Sequence, residues 1–266
     1  MSELNIMGFF KRYVLETLDD AWFSYERILR RFNIDRKFNI EVYRQSEKIV
    51  YGLLKKLYDF EIIGSENIPT NARGIVCSNH SSLLDPLVFA DAVSHDTGRP
   101  LNIMAKVELF DIPLINAWIR THFAFPVRRG KHDIVSYNRA KELLEIEELV
   151  GIFPEGTIND GNGRFLEPKT GAARLAYETN SVIIPMCIYG TDKIFGKGAK
   201  YPRPKGKILV KFGKIMRHED IFKGQPENPT FFQKAIERVM RKIKNLYWDA
   251  HDILENRKNS NNSGIK

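Results

Sequence analysis

What the sequence withholds narrows its function before any motif is read. Only two cysteines, Cys77 and Cys187, occur in 266 residues, each inside a short apolar segment of β-like character. That rules out a disulfide scaffold, and both thiols read as small buried hydrophobes. No apolar run approaches the ~20 residues that span a bilayer; the longest nearly uninterrupted one lies around Val182 to Tyr189. The N-terminus lacks the basic flank, apolar stretch and small-residue cleavage site of a secretory signal. The six histidines are scattered, with no metal-ligand spacing and no neighbouring cysteine, so no metal is expected. There is no Gly-x-Ser-x-Gly nucleophile elbow and no phosphate loop ending in Gly-Lys-Ser/Thr. Gly161 and Gly163 lack the third glycine of a dinucleotide site and read as a turn. These absences predict a cytoplasmic globular protein rather than an integral membrane protein.

What is present supports a folded core. Hydrophobic residues make up 43% of the chain and aromatics 11%, too many for a disordered protein. The formal net charge is +8, and its location matters more than its sum. Lys193, Lys197, Lys200, Arg203, Lys205, Lys207, Lys211, Lys214 and Arg217 face only Asp192 between Tyr189 and Arg217. Nine cations less one anion give +8 there, so the rest of the chain sums to zero. Such a patch suits a polyanion (nucleic acid, an anionic membrane or a phosphorylated co-substrate) or is simply a solvated face.

Periodicity divides the chain into four parts. Residues 1–59 read as a helical hairpin. Met7, Phe10, Val14, Leu18, Ala21, Tyr25, Ile28 and Phe32 recur at helical spacing, and Tyr43, Val50, Leu53 or Leu54, and Leu57 share one face of a second helix. The hairpin either packs on the core or lies amphipathically on a membrane, aided by Phe9, Phe10, Trp22 and Phe23. Residues 60–228 alternate strands and helices, which predicts an α/β domain with a mixed, mostly parallel sheet flanked by helices. Strands are expected at Phe60–Ile63, Gly74–Ser78, Leu101–Ala105, Ala124–Val127, Leu149–Phe153, Val182–Ile188 and Ile208–Phe212. Helices are expected at Pro86–Val93, Pro113–Arg120, Ile134–Glu147 and Ala172–Thr179. Residues 229–255 form a C-terminal helix with an apolar stripe from Phe232 to Ile253, and residues 256–266 read as a disordered polar tail.

Two segments carry chemistry. Asn79-His80-Ser81-Ser82-Leu83-Leu84-Asp85-Pro86 follows a predicted strand, at the edge where α/β folds gather ligands. His80 and Asp85 are five residues apart, about 140° around a helix, so they meet only if His80 stays in the turn and Asp85 begins the helix. The carboxylate would then fix the imidazole tautomer and leave the other ring nitrogen free to take a proton. Such a pair near a helix start is also common in purely structural roles. The second segment, Phe153-Pro154-Glu155-Gly156-Thr157, ends another predicted strand with a carboxylate, a flexible glycine and a hydroxyl.

Together these segments resemble the glycerolipid acyltransferases, the family of lysophosphatidic acid and glycerol-3-phosphate acyltransferases. The Asn-His-x-x-x-x-Asp motif is complete at Asn79, His80 and Asp85. A second block resembles Ala105-Lys106-Val107-Glu108-Leu109 with Phe125-Pro126-Val127-Arg128-Arg129-Gly130. A third is Phe153 to Thr157 with Lys169-x-Gly171-Ala172, and a fourth is the apolar run ending at Pro185. The resemblance covers roughly residues 60 to 215. It implies that His80 is a general base, that Asp85 orients it, and that an acceptor hydroxyl attacks an acyl-CoA or acyl carrier protein thioester. It assigns the acceptor's phosphate to Lys106 and Arg129 and the glycerol end to Glu155, Gly156 and Thr157. It implies no tightly bound cofactor.

The departures from the pattern are specific. Ile158 and Asn159 stand where the family usually has Arg and Ser, so Arg128, Arg164 or Lys169 is a candidate replacement phosphate contact. The expected activity is acylation of 1-acylglycerol-3-phosphate to phosphatidic acid by a protein peripheral to the cytoplasmic face of a membrane. The alternatives are another lysolipid acceptor, or a non-catalytic lipid-binding protein on the same scaffold. The expected partners are an anionic membrane surface, a lysolipid and an acyl thioester. No nucleic acid is expected, because the charge is not accompanied by a recognition motif.

Overall fold

Short runs of Val, Ile and Leu pair into one sheet, because strands covered on both faces read as near-continuous apolar segments. The computed structural model describes residues 35–111, 119, 122–127 and 133–263, with backbone alone at 35–39 and 258–263. Its strands are β1 (Asp59–Ile63), β2 (Gly74–Ser78), β3 (Leu101–Lys106), β4 (Phe125–Val127), β5 (Leu149–Ile152), β6 (Val182–Tyr189) and β7 (Lys207–Phe212). All seven expected strands are present, displaced by a residue at most at either end. Their order is β1-β7-β6-β2-β5-β3-β4. Only the β6–β7 pair is antiparallel; the others run parallel. The mixed, mostly parallel α/β class is therefore the observed one.

Helices cover both faces: α1 (Asp35–Leu57), α2 (Asp85–Thr97), α3 (Ile134–Glu145), α4 (Gly171–Thr179), α5 (Thr191–Phe195), α6 (His218–Ile221) and α7 (Phe231–Ser263). On one face Leu143, Leu175, Ile236 and Ile243 join the sheet's Ile75, Val150 and Ile183 in a buried cluster. On the other, Leu54 of α1 and Val88, Phe89 and Val93 of α2 pack on Val76, Leu149, Ile184 and Val210. Both cysteines are fully buried and unpaired. Burial pushes both thiols up, that of Cys187 to about 12, so neither is a nucleophile.

Three sequence expectations need correction or fall elsewhere. First, Leu53 and Leu57 do not share the inward face of α1. Tyr43, Leu54 and Tyr58 are buried, whereas Ile49, Leu53 and Leu57 are exposed. Residues 43, 47, 50, 54 and 58 trace the inward stripe at steps of three or four, which places 53 and 57 outside it. Secondly, α7 continues to Ser263, through most of the segment read as a disordered tail. Adding a turn to an existing helix fixes one residue per hydrogen bond and needs no new nucleus. Thirdly, the first predicted helix of the N-terminal hairpin and the helix at Pro113–Arg120 lie outside the described residues, apart from Ile119.

Direction matters for function. Strands β2, β3, β4, β5 and β6 all present their carboxyl ends at one edge of the sheet, where β1 and β7, running the opposite way, begin.

Candidate active site

At that edge β2 is followed by Asn79, whose side chain is used as if it were backbone. Its Nδ2 donates to the Ile188 carbonyl and its Oδ1 accepts from the Ile188 N–H, both at 2.9 Å, clamping the end of β2 to β6. The chain then turns through His80, Ser81 and Ser82 into α2, and Asp85, the first residue of that helix, reaches back over the turn. Its Oδ2 accepts from the Ser81 and Ser82 N–H groups at 2.6 and 2.8 Å and lies 3.0 Å from His80 Nδ1. Its Oδ1 accepts from Thr191 Oγ1 at 2.6 Å. Ser82 Oγ meanwhile accepts from the Leu84 N–H and donates to the Phe195 carbonyl.

The result is a fixed imidazole. Asp85 is wholly buried and His80 nearly so. With a carboxylate facing Nδ1, that nitrogen carries the proton and Nε2 the lone pair. Nε2 makes no hydrogen bond among the described residues. The ring lies flat on Phe153, with centroids 4.1 Å apart and planes 17° apart.

Phe153 follows β5 and leads into the second motif. Glu155 is buried, and its two oxygens accept from the His80 N–H (3.0 Å), from Asn159 Nδ2 (3.0 and 2.9 Å) and from the Leu166 N–H (2.7 Å). The Asn159 N–H in turn donates to the His80 carbonyl at 2.8 Å. The carboxylate expected at the glycerol end of a substrate points inward here and braces the turn that carries His80. Gly156 sits at φ +70°, and a Cβ there would lie 2.8 Å from Lys169 Cε and Nζ. Glycine therefore serves two needs, a left-handed backbone and room for the lysine to lie across the turn. Lys169 is exposed and anchored by its N–H to the Pro154 carbonyl at 2.8 Å.

The remaining expected residues scatter. Thr157 is exposed at the same turn, and Arg164 is exposed on a nearby turn, its N–H bonded to the Gly161 carbonyl. Lys106 ends β3, two strands from β2, with its ammonium 3.2 Å from Glu108. Arg128 and Arg129 lie outside the described residues. So the structure brings His80, Asp85, Glu155, Gly156 and Lys169 together and sets Lys106 further along the edge.

Sequence reasoning missed Thr191. It begins α5 directly after Gly190, which sits at φ +93° and where a Cβ would come within 2.1 Å of the Lys207 carbonyl oxygen. Only glycine allows the chain to leave β6 there and aim a hydroxyl at Asp85. The signal was a hydroxyl just past the end of an apolar strand, at the edge already holding the two motifs. Asn159, noted only as a departure from a pattern, is also part of the brace.

Comparison with known proteins agrees with this geometry. A model of the Acyltransferase family matches residues 59–189. The chain is 33% identical over 138 residues to a 1-acyl-sn-glycerol-3-phosphate acyltransferase of Borreliella burgdorferi, covering 51% of this chain and 53% of that one. It is 32% identical over 197 residues to the protein of the same name from Helicobacter pylori, covering 73% and 76%. The match thus spans about half the length of the Borreliella protein and less than half of several other curated relatives. Among solved structures, the 1-acyl-sn-glycerophosphate (LPA) acyltransferase PlsC of Thermotoga maritima superimposes with a TM-score of 0.61. It is 24% identical, over 91% of this chain and 97% of that one, and shares the fold. A histidine held by a buried aspartate at the carboxyl edge of this sheet, with the relatives that share its sequence, places the chain in the acyltransferase family.

Proposed function

We propose that the chain moves a fatty acyl group from an acyl thioester to the free hydroxyl of a lysolipid, with 1-acylglycerol-3-phosphate as acceptor and phosphatidic acid as product. The observation that carries this reading is the His80–Asp85 pair, with Nδ1 committed to the carboxylate and Nε2 free to accept a proton. The acceptor hydroxyl gives its proton to Nε2 as its oxygen attacks the thioester carbonyl carbon. The C–S bond then breaks, and the imidazolium returns the proton to the leaving thiolate. One histidine serves as base and then acid, so no acyl-enzyme is needed. No tightly held cofactor is required, since an acyl-CoA or acyl carrier protein thioester brings the activated acyl group.

The phosphate of the acceptor needs a cation near the Pro154–Thr157 turn. The family's usual arginine is absent, and Ile158 stands in its place. Lys169 supports the reading, because its ammonium lies against Gly156 on the turn that Glu155 braces. Lys106 and Arg129 are the contacts the resemblance implies, with Arg128 and Arg164 as further candidates. A peripheral position on the cytoplasmic face of an anionic membrane is supported by two features: the basic segment from Lys193 to Arg217, and the outward face of α1, where Ile49, Leu53 and Leu57 are exposed. Among the described residues no helix is long and apolar enough to cross a membrane.

A thiol-release assay that crosses acyl thioesters with a panel of lysolipids tests this reading. Lysophosphatidic acid should be preferred over lysolipids with larger head groups. Preference for a larger head group would assign another acceptor, and thiol release from no donor would leave only lipid binding.

A further inference from the structure

A second cationic feature lies on the opposite side of the base from Lys106 and Lys169. Strand β6 ends at Tyr189 and β7 begins at Lys207, on the same sheet edge as the catalytic turn. Between them is a cavity of about 230 Å³ with mainly apolar walls, Tyr189, Ile194 and Leu254 among them, to whose lining Lys193, Arg203, Lys205, Lys207 and Glu255 also belong. Its volume equals that of about eight waters in the liquid, and the exposed heads of Arg203 and Lys205 stand beside it. The four cations are prepared differently. Lys193 donates to the Tyr189 hydroxyl at 2.9 Å, and Lys207 lies 3.3 Å from Asp59. Among the described residues, Arg203 and Lys205 meet no carboxylate and are exposed. Glu255 in the lining and Asp59 beside Lys207 offset two of the four cations, which leaves an excess of two positive charges.

The sheet order turns this cluster into a position relative to the chemistry. Strand β6 is the immediate neighbour of β2, so the cavity begins about one strand spacing, ~5 Å, from the strand that carries His80. Lys106 lies two spacings away on the other side, ~10 Å, beyond β5. The helix that lines the cavity with Lys193 also supplies Thr191 to Asp85. Acyl transfer between two phosphorylated substrates requires two anion sites with the base between them. Here two cationic groups flank the base along one edge.

On the acyl-transfer reading of the site, we propose that the β6–β7 cavity binds the phosphates of a CoA thioester, with Arg203 and Lys205 as the principal contacts. The acceptor's phosphate then belongs to the Lys106 and Lys169 side. A concave site with separate cations suits a small nucleotide better than a protein surface, and guanidinium–phosphate pairing gives it geometric specificity.

The test uses the full chain with Arg203→Gln and Lys205→Gln combined, both exposed positions, with folding checked by thermal melting. Thiol release is measured with a long-chain acyl-CoA and with the N-acetylcysteamine thioester of the same acyl chain, which carries no phosphate. Binding of adenosine 3′,5′-bisphosphate is measured by calorimetry. Losing two charge-assisted contacts should cut the preference for acyl-CoA over the phosphate-free thioester about ten-fold or more, and weaken bisphosphate binding in parallel. An unchanged preference would overturn the proposal. So would an acyl carrier protein thioester being used where acyl-CoA is not. Loss of sedimentation with phosphatidylcholine–phosphatidylglycerol vesicles at unchanged donor preference would also overturn it, by assigning the cluster to lipid head groups. A wild-type protein that releases no thiol from any donor would sink the acyl-transfer reading. Bisphosphate binding lost in the variant would still support the cavity as a nucleotide site.

Discussion

At the scale of single residues, the site is a set of buried acceptors that hold one imidazole. Asp85 takes four donors, and the one from Thr191 arrives from 106 residues away. Removing that hydroxyl leaves Oδ1 of a buried carboxylate without its partner, and hydrogen bonds to charged groups contribute roughly 1.5–3 kcal/mol. Thr191→Val should lower kcat/KM about ten-fold and shift the pH–rate profile, because the carboxylate that orients His80 changes, while Thr191→Ser restores both. Equal losses for Val and Ser would contradict this account, because serine keeps the hydroxyl that bonds Asp85. Glu155→Gln tests the brace. An amide cannot accept at both ends from the His80, Leu166 and Asn159 donors, so thermal stability and turnover should fall together. A rise in the lysolipid KM with turnover and thermal stability unchanged would return Glu155 to the substrate.

At the scale of elements, α1 meets α2 through a contact that charge disfavours. Asp91 of α2 is buried, and among the described residues neither of its carboxylate oxygens has a hydrogen-bond partner. Burial first, then the charge of Glu47 on α1, pushes its carboxyl up to about 8. Glu47 is itself bound to His95 at 3.0 Å, and the Tyr43 hydroxyl donates to Ser94 one turn away. Since the folded state holds the proton more tightly than the unfolded chain, stability is lost as pH rises from about 4 to about 8. In urea melts, the stability of Asp91→Asn relative to wild type should therefore rise by about 1–3 kcal/mol between pH 5 and pH 8. A difference that stays flat with pH would contradict it.

How much of this was legible also divides by element. Strands such as Gly74–Ser78 and Val182–Tyr189 announce themselves as apolar runs between turn residues, because burial on both faces leaves no polar position to confuse the pattern. Helix α5 was not legible. Five residues between glycines carry no period, and what holds them is a bond to Asp85 from far along the chain. His80 and Asp85 were readable because both lie in one local turn. Thr191, Asn159 and the inward aim of Glu155 depend on which strands are neighbours, and periodicity is silent on that.

At the scale of the whole molecule, sheet order gathers the charge into a line. Running from β7 through β6, β2 and β5 to β3, one edge carries Arg203 and Lys205, then His80, then Lys169, then Lys106. The sequence-level excess of +8 between Tyr189 and Arg217 thus gains a place beside the base as well as on the surface. The proposed activity turns on His80 taking a proton from the acceptor, and general bases contribute typically 10²–10⁴-fold. The most direct test is thiol release from a long-chain acyl-CoA with lysophosphatidic acid, comparing wild type with folded His80→Ala protein. The account predicts a fall of at least about a hundred-fold in the variant. Release at the wild-type rate would contradict it.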